Sequence, residues 1–109
     1  MNENIKMVRG DTLQFSVEIN DLEKDLTSAF FSCKKSKDDD EYVFQVSLND
    51  GIELSDSYET MRLYTVTVPA SATEDVDEGI YYFDLQISVD DYVFTPAIGT
   101  LQIVQDVTI

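Results

Sequence analysis

Apolar side chains recur at every second position through most of this chain, and that period constrains the fold more than any other feature. Leu13, Phe15, Val17 and Ile19 alternate with Gln14, Ser16 and Glu18, the pattern of a strand with one face in the core and one in water. A second strand is expected over about Thr27 to Lys34. Tyr42, Phe44, Val46 and Leu48 alternate again, and Asn49-Asp50-Gly51 supplies residues that tolerate the positive φ of a tight turn. Ile52 and Leu54 start a short strand, and Ser55 to Thr60 is polar and reads as a loop. Tyr64, Val66 and Val68 mark another strand, stopped by Pro69.

The clearest run is Tyr81, Phe83, Leu85, Ile87 and Val89 on one face against Tyr82, Asp84, Gln86 and Ser88 on the other. Before it, Ala70 to Asp77 reads as a turn or a single helical turn. Glu78-Gly79-Ile80-Tyr81 places a glycine two residues ahead of a tyrosine at a strand start, the arrangement of a tyrosine corner. Asp90-Asp91 closes a hairpin. Parity then predicts a kink in the last strand. Tyr92 and Phe94 are even, whereas Leu101 and Ile103 are odd, so one face can hold both sets only with a bulge or sheet switch between them, and the strand is expected to break near Pro96. About seven to nine short strands at this spacing predict an all-β, two-sheet antiparallel Greek-key sandwich, one domain over residues 1–109.

Charge and residue types narrow the chemistry. The chain has 109 residues, 22 acidic and 7 basic, no histidine and a net charge of −15. The segment Met1 to Lys37 is balanced, so the excess lies beyond it, where Arg62 alone opposes the carboxylates. Such a field repels phosphate backbones and anionic headgroups, which predicts neither nucleic-acid nor membrane partners. Without histidine, the usual zinc sites and Ser-His-Asp catalysis are excluded, and no glycine-rich phosphate loop is present. No enzyme activity, cofactor or small-molecule substrate is expected. Cys33, in Ala29-Phe30-Phe31-Ser32-Cys33, reads as a small buried hydrophobe. No stretch of about 18 apolar residues and no signal-peptide pattern occurs, which predicts a chain that is cytoplasmic when synthesised.

Two acidic segments raise the question of calcium. Asp38, Asp39, Asp40 and Glu41 form a candidate cation loop, although four adjacent carboxylates also make a solvated tip. Asp75-Val76-Asp77-Glu78-Gly79 does not fit a helical-hand loop, because positions six and twelve from Asp75 are Ile80 and Gln86. Arg9-Gly10-Asp11 spells a receptor-binding tripeptide, but a tight turn feeding the strand that follows accounts for it.

Four segments, Met7-Val8-Arg9-Gly10-Asp11-Thr12, Phe44-Gln45-Val46-Ser47-Leu48, Gly79-Ile80-Tyr81-Tyr82-Phe83-Asp84-Leu85 and Gly99-Thr100-Leu101-Gln102-Ile103-Val104, together resemble small structural proteins of tailed phages and prophages. Those are similar in kind to the N-terminal domains of baseplate upper proteins. The resemblance implies an immunoglobulin-like sandwich and a virion structural or adaptor role at a tail, baseplate or capsid, with other virion proteins or self-association as the partners. Tyr82 and Tyr92 are the candidate interaction residues. Two further readings follow from the residues: a carbohydrate or cell-surface binding module, calcium-assisted through Asp38 to Glu41, and an acidic nucleic-acid mimic, which needs carboxylates in phosphate-like rows.

Overall fold

The alternating segments become strands. The computed structural model describes residues 2–105, in which β1 (Asn2–Val8), β2 (Leu13–Asn20), β3 (Ser28–Lys34), β4 (Phe44–Leu48), β5 (Gly51–Tyr58), β6 (Met61–Val68), β7 (Gly79–Val89) and β8 (Tyr92–Val104) are joined by loops and one 3₁₀ turn at Ala70–Ala72. Hydrogen bonds link them in the order β1-β8-β7-β3-β4-β5-β6-β2.

This ladder is folded over on itself. Neighbouring strands lie about 4.8 Å apart, so β2 and β3, four steps apart in the order, would be roughly 19 Å apart in a flat sheet. Instead the rings of Phe15 on β2 and Phe31 on β3 meet edge to face at 5.2 Å. The fold-over lies between β4 and β5, which share only the pairs Ser47↔Gly51 and Leu48↔Ile52. One layer is therefore β1-β8-β7-β3-β4 and the other β5-β6-β2. In this arrangement β2, β6 and β5 take the places of strands B, E and D of an immunoglobulin-like sandwich, and β3, β7 and β8 those of C, F and G. The all-β immunoglobulin-like fold is as the sequence predicts. Two of its ladders, β1 with β8 and β4 with β5, run parallel.

The tyrosine corner is formed. Tyr81 Oη donates to the Asp77 carbonyl at 2.6 Å, tying the start of β7 to the preceding loop, and Gly79 (φ 154°) sits between them. In antibody-type domains the second cysteine of the inter-sheet disulfide comes two residues after this tyrosine, and a tryptophan on the third strand packs against the bridge. Here Phe83 occupies that place. Phe31 stands between Phe15 and Phe83, its ring 5.4 Å from the latter. Three rings thus bridge the layers where such domains place a disulfide, each pair contributing about 0.5–1.5 kcal/mol beyond area burial. Phe31, Cys33, Val66, Val68 and Leu101 are fully buried around them. Burial pushes the Cys33 thiol up to about 12, which keeps it protonated and unreactive.

Four local readings change. Asn49 (φ 68°) and Gly51 (φ 110°) do make a tight turn, but it carries the chain from one layer to the other instead of folding β5 back along β4. Ser55 to Tyr58 continue β5, because backbone bonds to β6 hold them across an irregularity between Leu54 and Asp56. Their side chains are exposed, so no alternation announced the strand. β1 was also not anticipated, since Ile5 and Met7 alone turn towards the core. Finally, β8 does not break at Pro96: it bulges. Leu85 pairs with Ala97 and Ile87 with Phe94, so one residue of β7 faces Thr95 and Pro96 together, and even-numbered Tyr92 and Phe94 turn to the same side as odd-numbered Leu101 and Ile103.

One end of the sandwich is closed by a clamp. The Arg62 side chain, on the core side of β6, is only 11% exposed. Its guanidinium donates to the carbonyls of Leu22 (3.1 Å), Glu23 (2.7 Å), Tyr58 (2.5 Å) and Met61 (3.1 Å) and to Asp25 Oδ1 (2.9 Å). Nearby, Leu26 N–H donates to Tyr64 Oη at 2.9 Å. Together with Leu22 and Leu26, which are buried in the core, these bonds fix the path of the β2–β3 loop.

Candidate functional site

Two grooves lined by aromatic residues lie on different faces. The first crosses the outer surface of the β8-β7-β3-β4 layer and encloses about 540 Å³. Alternation places Phe30, Ser32 and Lys34 of β3, Tyr82, Asp84 and Gln86 of β7 and Ile98 of β8 on this outward face, and the β3–β4 loop adds Lys37 and Tyr42. Phe30, Tyr42 and Ile98 are 37%, 50% and 40% exposed, so apolar surface faces water here. Lys34 Nζ stands 5.1 Å over the Tyr42 ring and Lys37 Nζ 5.3 Å over the Tyr82 ring. Such cation–π contacts hold both ammonium groups against the groove. Gln45 Nε2 donates to Ser32 Oγ at 2.9 Å and sets the floor.

The second groove, of about 570 Å³, opens at the end where β7 and β8 form a hairpin. Ile19, Leu22, Ile87, Val89, Tyr92 and Phe94 line most of it. Tyr92 and Phe94 stack with ring centroids 6.3 Å apart and planes 9° apart, and they are 71% and 48% exposed. They face the core side of their layer, and Ile19 and Asn20 at the end of β2 line the same groove.

Tyr82 and Tyr92 are therefore not parts of one surface. Tyr82 lies in the first groove and Tyr92 in the second, seven residues of strand or roughly 23 Å beyond Tyr82 along β7 and its turn. Sequence reasoning missed their companions Phe30, Tyr42, Phe94 and Ile98. The signal for Phe30 was available, because it has the outward parity of β3. Lys34 and Lys37 were placed only as charges.

Asp38, Asp39, Asp40 and Glu41 lie in the exposed β3–β4 loop. Lys34 Nζ donates to the Asp39 carbonyl at 2.7 Å and pins the loop. Among the described residues no three acidic or thiol side chains converge as metal ligands, and all four carboxylates of this loop are exposed. The nucleic-acid mimic needs carboxylates in phosphate-like rows. Beyond Lys37 and among the described residues, only Glu53, Asp56 and Asp84 are on strands. The other carboxylates occupy loops and turns. Arg9-Gly10-Asp11 is a turn, as expected: Asp11 N–H donates to the Val8 carbonyl at 3.0 Å, and Gly10 N–H to Thr73 Oγ1 at 3.0 Å.

No family model matches this sequence, and no curated protein sequence matches it either. Among solved structures, the chain is similar to the extracellular domain of the voltage-gated sodium channel beta4 subunit, described as forming parallel homodimers that explain its role in cell–cell adhesion. The superposition covers 97% of this chain and 93% of that one, at 11% identity and a TM-score of 0.42. The immunoglobulin-like assignment rests on the strand order and the tyrosine corner.

Proposed function

We propose that this chain is a non-enzymatic docking module, a phage- or prophage-derived structural or adaptor protein of a tail, baseplate or capsid assembly that works by protein–protein contact. The sequence resemblance supports the virion context. The docking reading is carried by one observation, the open groove on the β8-β7-β3-β4 face, where exposed Phe30, Tyr42 and Ile98 surround two ammonium groups held over tyrosine rings. Exposed apolar surface rimmed by polar groups marks interaction sites, and aromatic anchors dominate their energetics. Lys34, Lys35 and Lys37 are the densest positive charge in an otherwise acidic chain. The surface this groove fits is accordingly that of another particle protein, offering an apolar side chain to Phe30 and Ile98 and carboxylates to Lys34 and Lys37.

The test is mass spectrometry of purified particles induced from a lysogen that encodes the chain. The protein is expected in stoichiometric amounts, and the Phe30→Ser/Tyr82→Ser variant is expected to be depleted from particles while remaining folded in the lysate. Particles containing every other structural protein but not this one overturn the proposal.

A further inference from the structure

The end groove between β2 and the β7–β8 hairpin is not needed for docking through the outer face, and its chemistry is the opposite. We propose that it is a second docking site that receives an aromatic or leucine anchor from a basic polypeptide segment, one flanked by lysine or arginine.

Three observations carry this. The first is apolar surface set aside from the core. Ile87 is buried, but Val89, Tyr92 and Phe94, which share its face, line the open groove at the end of β2. An aromatic pair 71% and 48% exposed adds little to folding. Stacked in register, it presents a rigid wall that loses little rotamer freedom on contact. The second is charge. Both cations at this end are already engaged, Lys24 with Asp90 at 3.1 Å and Arg62 with Asp25 at 2.9 Å. Among the described residues Asp21, Glu23 and Asp91 have no cation of their own, and Asp21 lines the groove. An apolar slot with an anionic rim is complementary to an apolar anchor with cationic flanks. The same rim disfavours a second copy, which would bring like charges together across the contact, and it disfavours an anionic lipid surface.

The third observation concerns the mode of binding. β1 pairs with β8 only from Ile98 onward, so Tyr92 to Ala97 have no neighbour on their outer edge among the described strands. That edge is blunted by the Thr95–Pro96 bulge and by the missing N–H of proline, two devices that oppose strand addition. The partner therefore engages side chains in the groove and does not extend the sheet. Together with the outer-face groove, the site lets one module hold an acidic and a basic surface at once.

The probes are three fluorescein-labelled twelve-residue peptides: one with a central tryptophan between lysines, one with the lysines replaced by glutamates, and one with the tryptophan replaced by alanine. Fluorescence anisotropy is expected to show saturable binding of the first, weakened about tenfold or more by loss of either the anchor or the lysines. Tyr92→Ser, at an exposed position, is expected to weaken it similarly, and Asp21→Asn/Asp91→Asn to weaken it while reducing its salt dependence. Tyr82→Ser, in the outer-face groove, is expected to leave it unchanged. Equal binding of the tryptophan and alanine peptides would reveal attraction to net charge alone and overturn the proposal. Indifference to both Tyr92→Ser and Asp21→Asn/Asp91→Asn would overturn it too, as would sedimentation showing a dimer that Tyr92→Ser abolishes.

Discussion

Replacing Arg62 with glutamine removes one side chain and frees one whole end of the sandwich. The guanidinium spans Leu22, Glu23 and Asp25 on one side and Tyr58 and Met61 on the other with five hydrogen bonds of 2.5 to 3.1 Å. Hydrogen bonds from a charged donor contribute about 1.5–3 kcal/mol each, but a network held by one group is not additive. Removing the guanidinium leaves its carbonyl acceptors without that donor, at about 1–3 kcal/mol for buried groups left unpaired, and that is the expected loss for Arg62→Gln. Asp25 is the control, because its side chain is 65% exposed and an exposed ion pair is worth about 1 kcal/mol or less. Asp25→Asn should therefore cost little. Arg62→Lys should recover only a small part, since an ammonium has three donors and no planar fork. Urea unfolding followed by tyrosine fluorescence suits a chain without tryptophan and gives all three values. A loss for Arg62→Gln below about 1 kcal/mol, or equal to that for Asp25→Asn, would mean that water replaces the guanidinium and that the clamp does not fix the loop.

Other expectations follow from single contacts. A Cβ on Gly99 would collide with the Glu3 carbonyl oxygen, so Gly99→Ala should detach β1, speeding hydrogen exchange in residues 3–8 while β6 stays protected. Tyr81→Phe removes the 2.6 Å bond to the Asp77 carbonyl and should cost about 0.5–1.5 kcal/mol in the same urea assay. Cys33 has its pKa raised from 9.0 to about 12 in the fold. Above pH 9 the unfolded chain therefore releases a proton that the native chain keeps, and stability present at neutral pH falls between pH 9 and 12. The loss is at most about 1.4 kcal/mol per pH unit from this group. Cys33→Ala should remove that component of the alkaline slope, and an unchanged slope would show that the thiol does not contribute.

Strands that alternate over a buried face were legible in the sequence: β2, β3 and β7 lie within a residue or two of their expected limits, and β6 begins three residues before Tyr64. The parity of Tyr92 and Phe94 against Leu101 and Ile103 located the bulge in β8 because a change of face leaves a mark in the numbering. The end of β5 left no such mark, since backbone bonds alone hold its exposed side chains in the ladder. β1 was hidden for a similar reason: parallel pairing with β8 depends on Gly99 and on partners about 96 residues away. The grooves were half legible. Tyr82 and Tyr92 were visible as aromatics, but their separation onto two faces follows from the pairing of Tyr92 with inward-facing Val89 across the hairpin. The neighbours that define each groove come from strands distant in sequence.

The parallel pairing of the first and last strands has a mechanical consequence. Tension applied through the chain before Asn2 and after Val104 pulls β1 and β8 from opposite ends of their ladder, whose seven pairs run from Asn2↔Ile98 to Val8↔Val104. The load falls on all of these pairs in shear, so they yield together and cannot peel apart one by one, and the join resists stretching along the line of the chain.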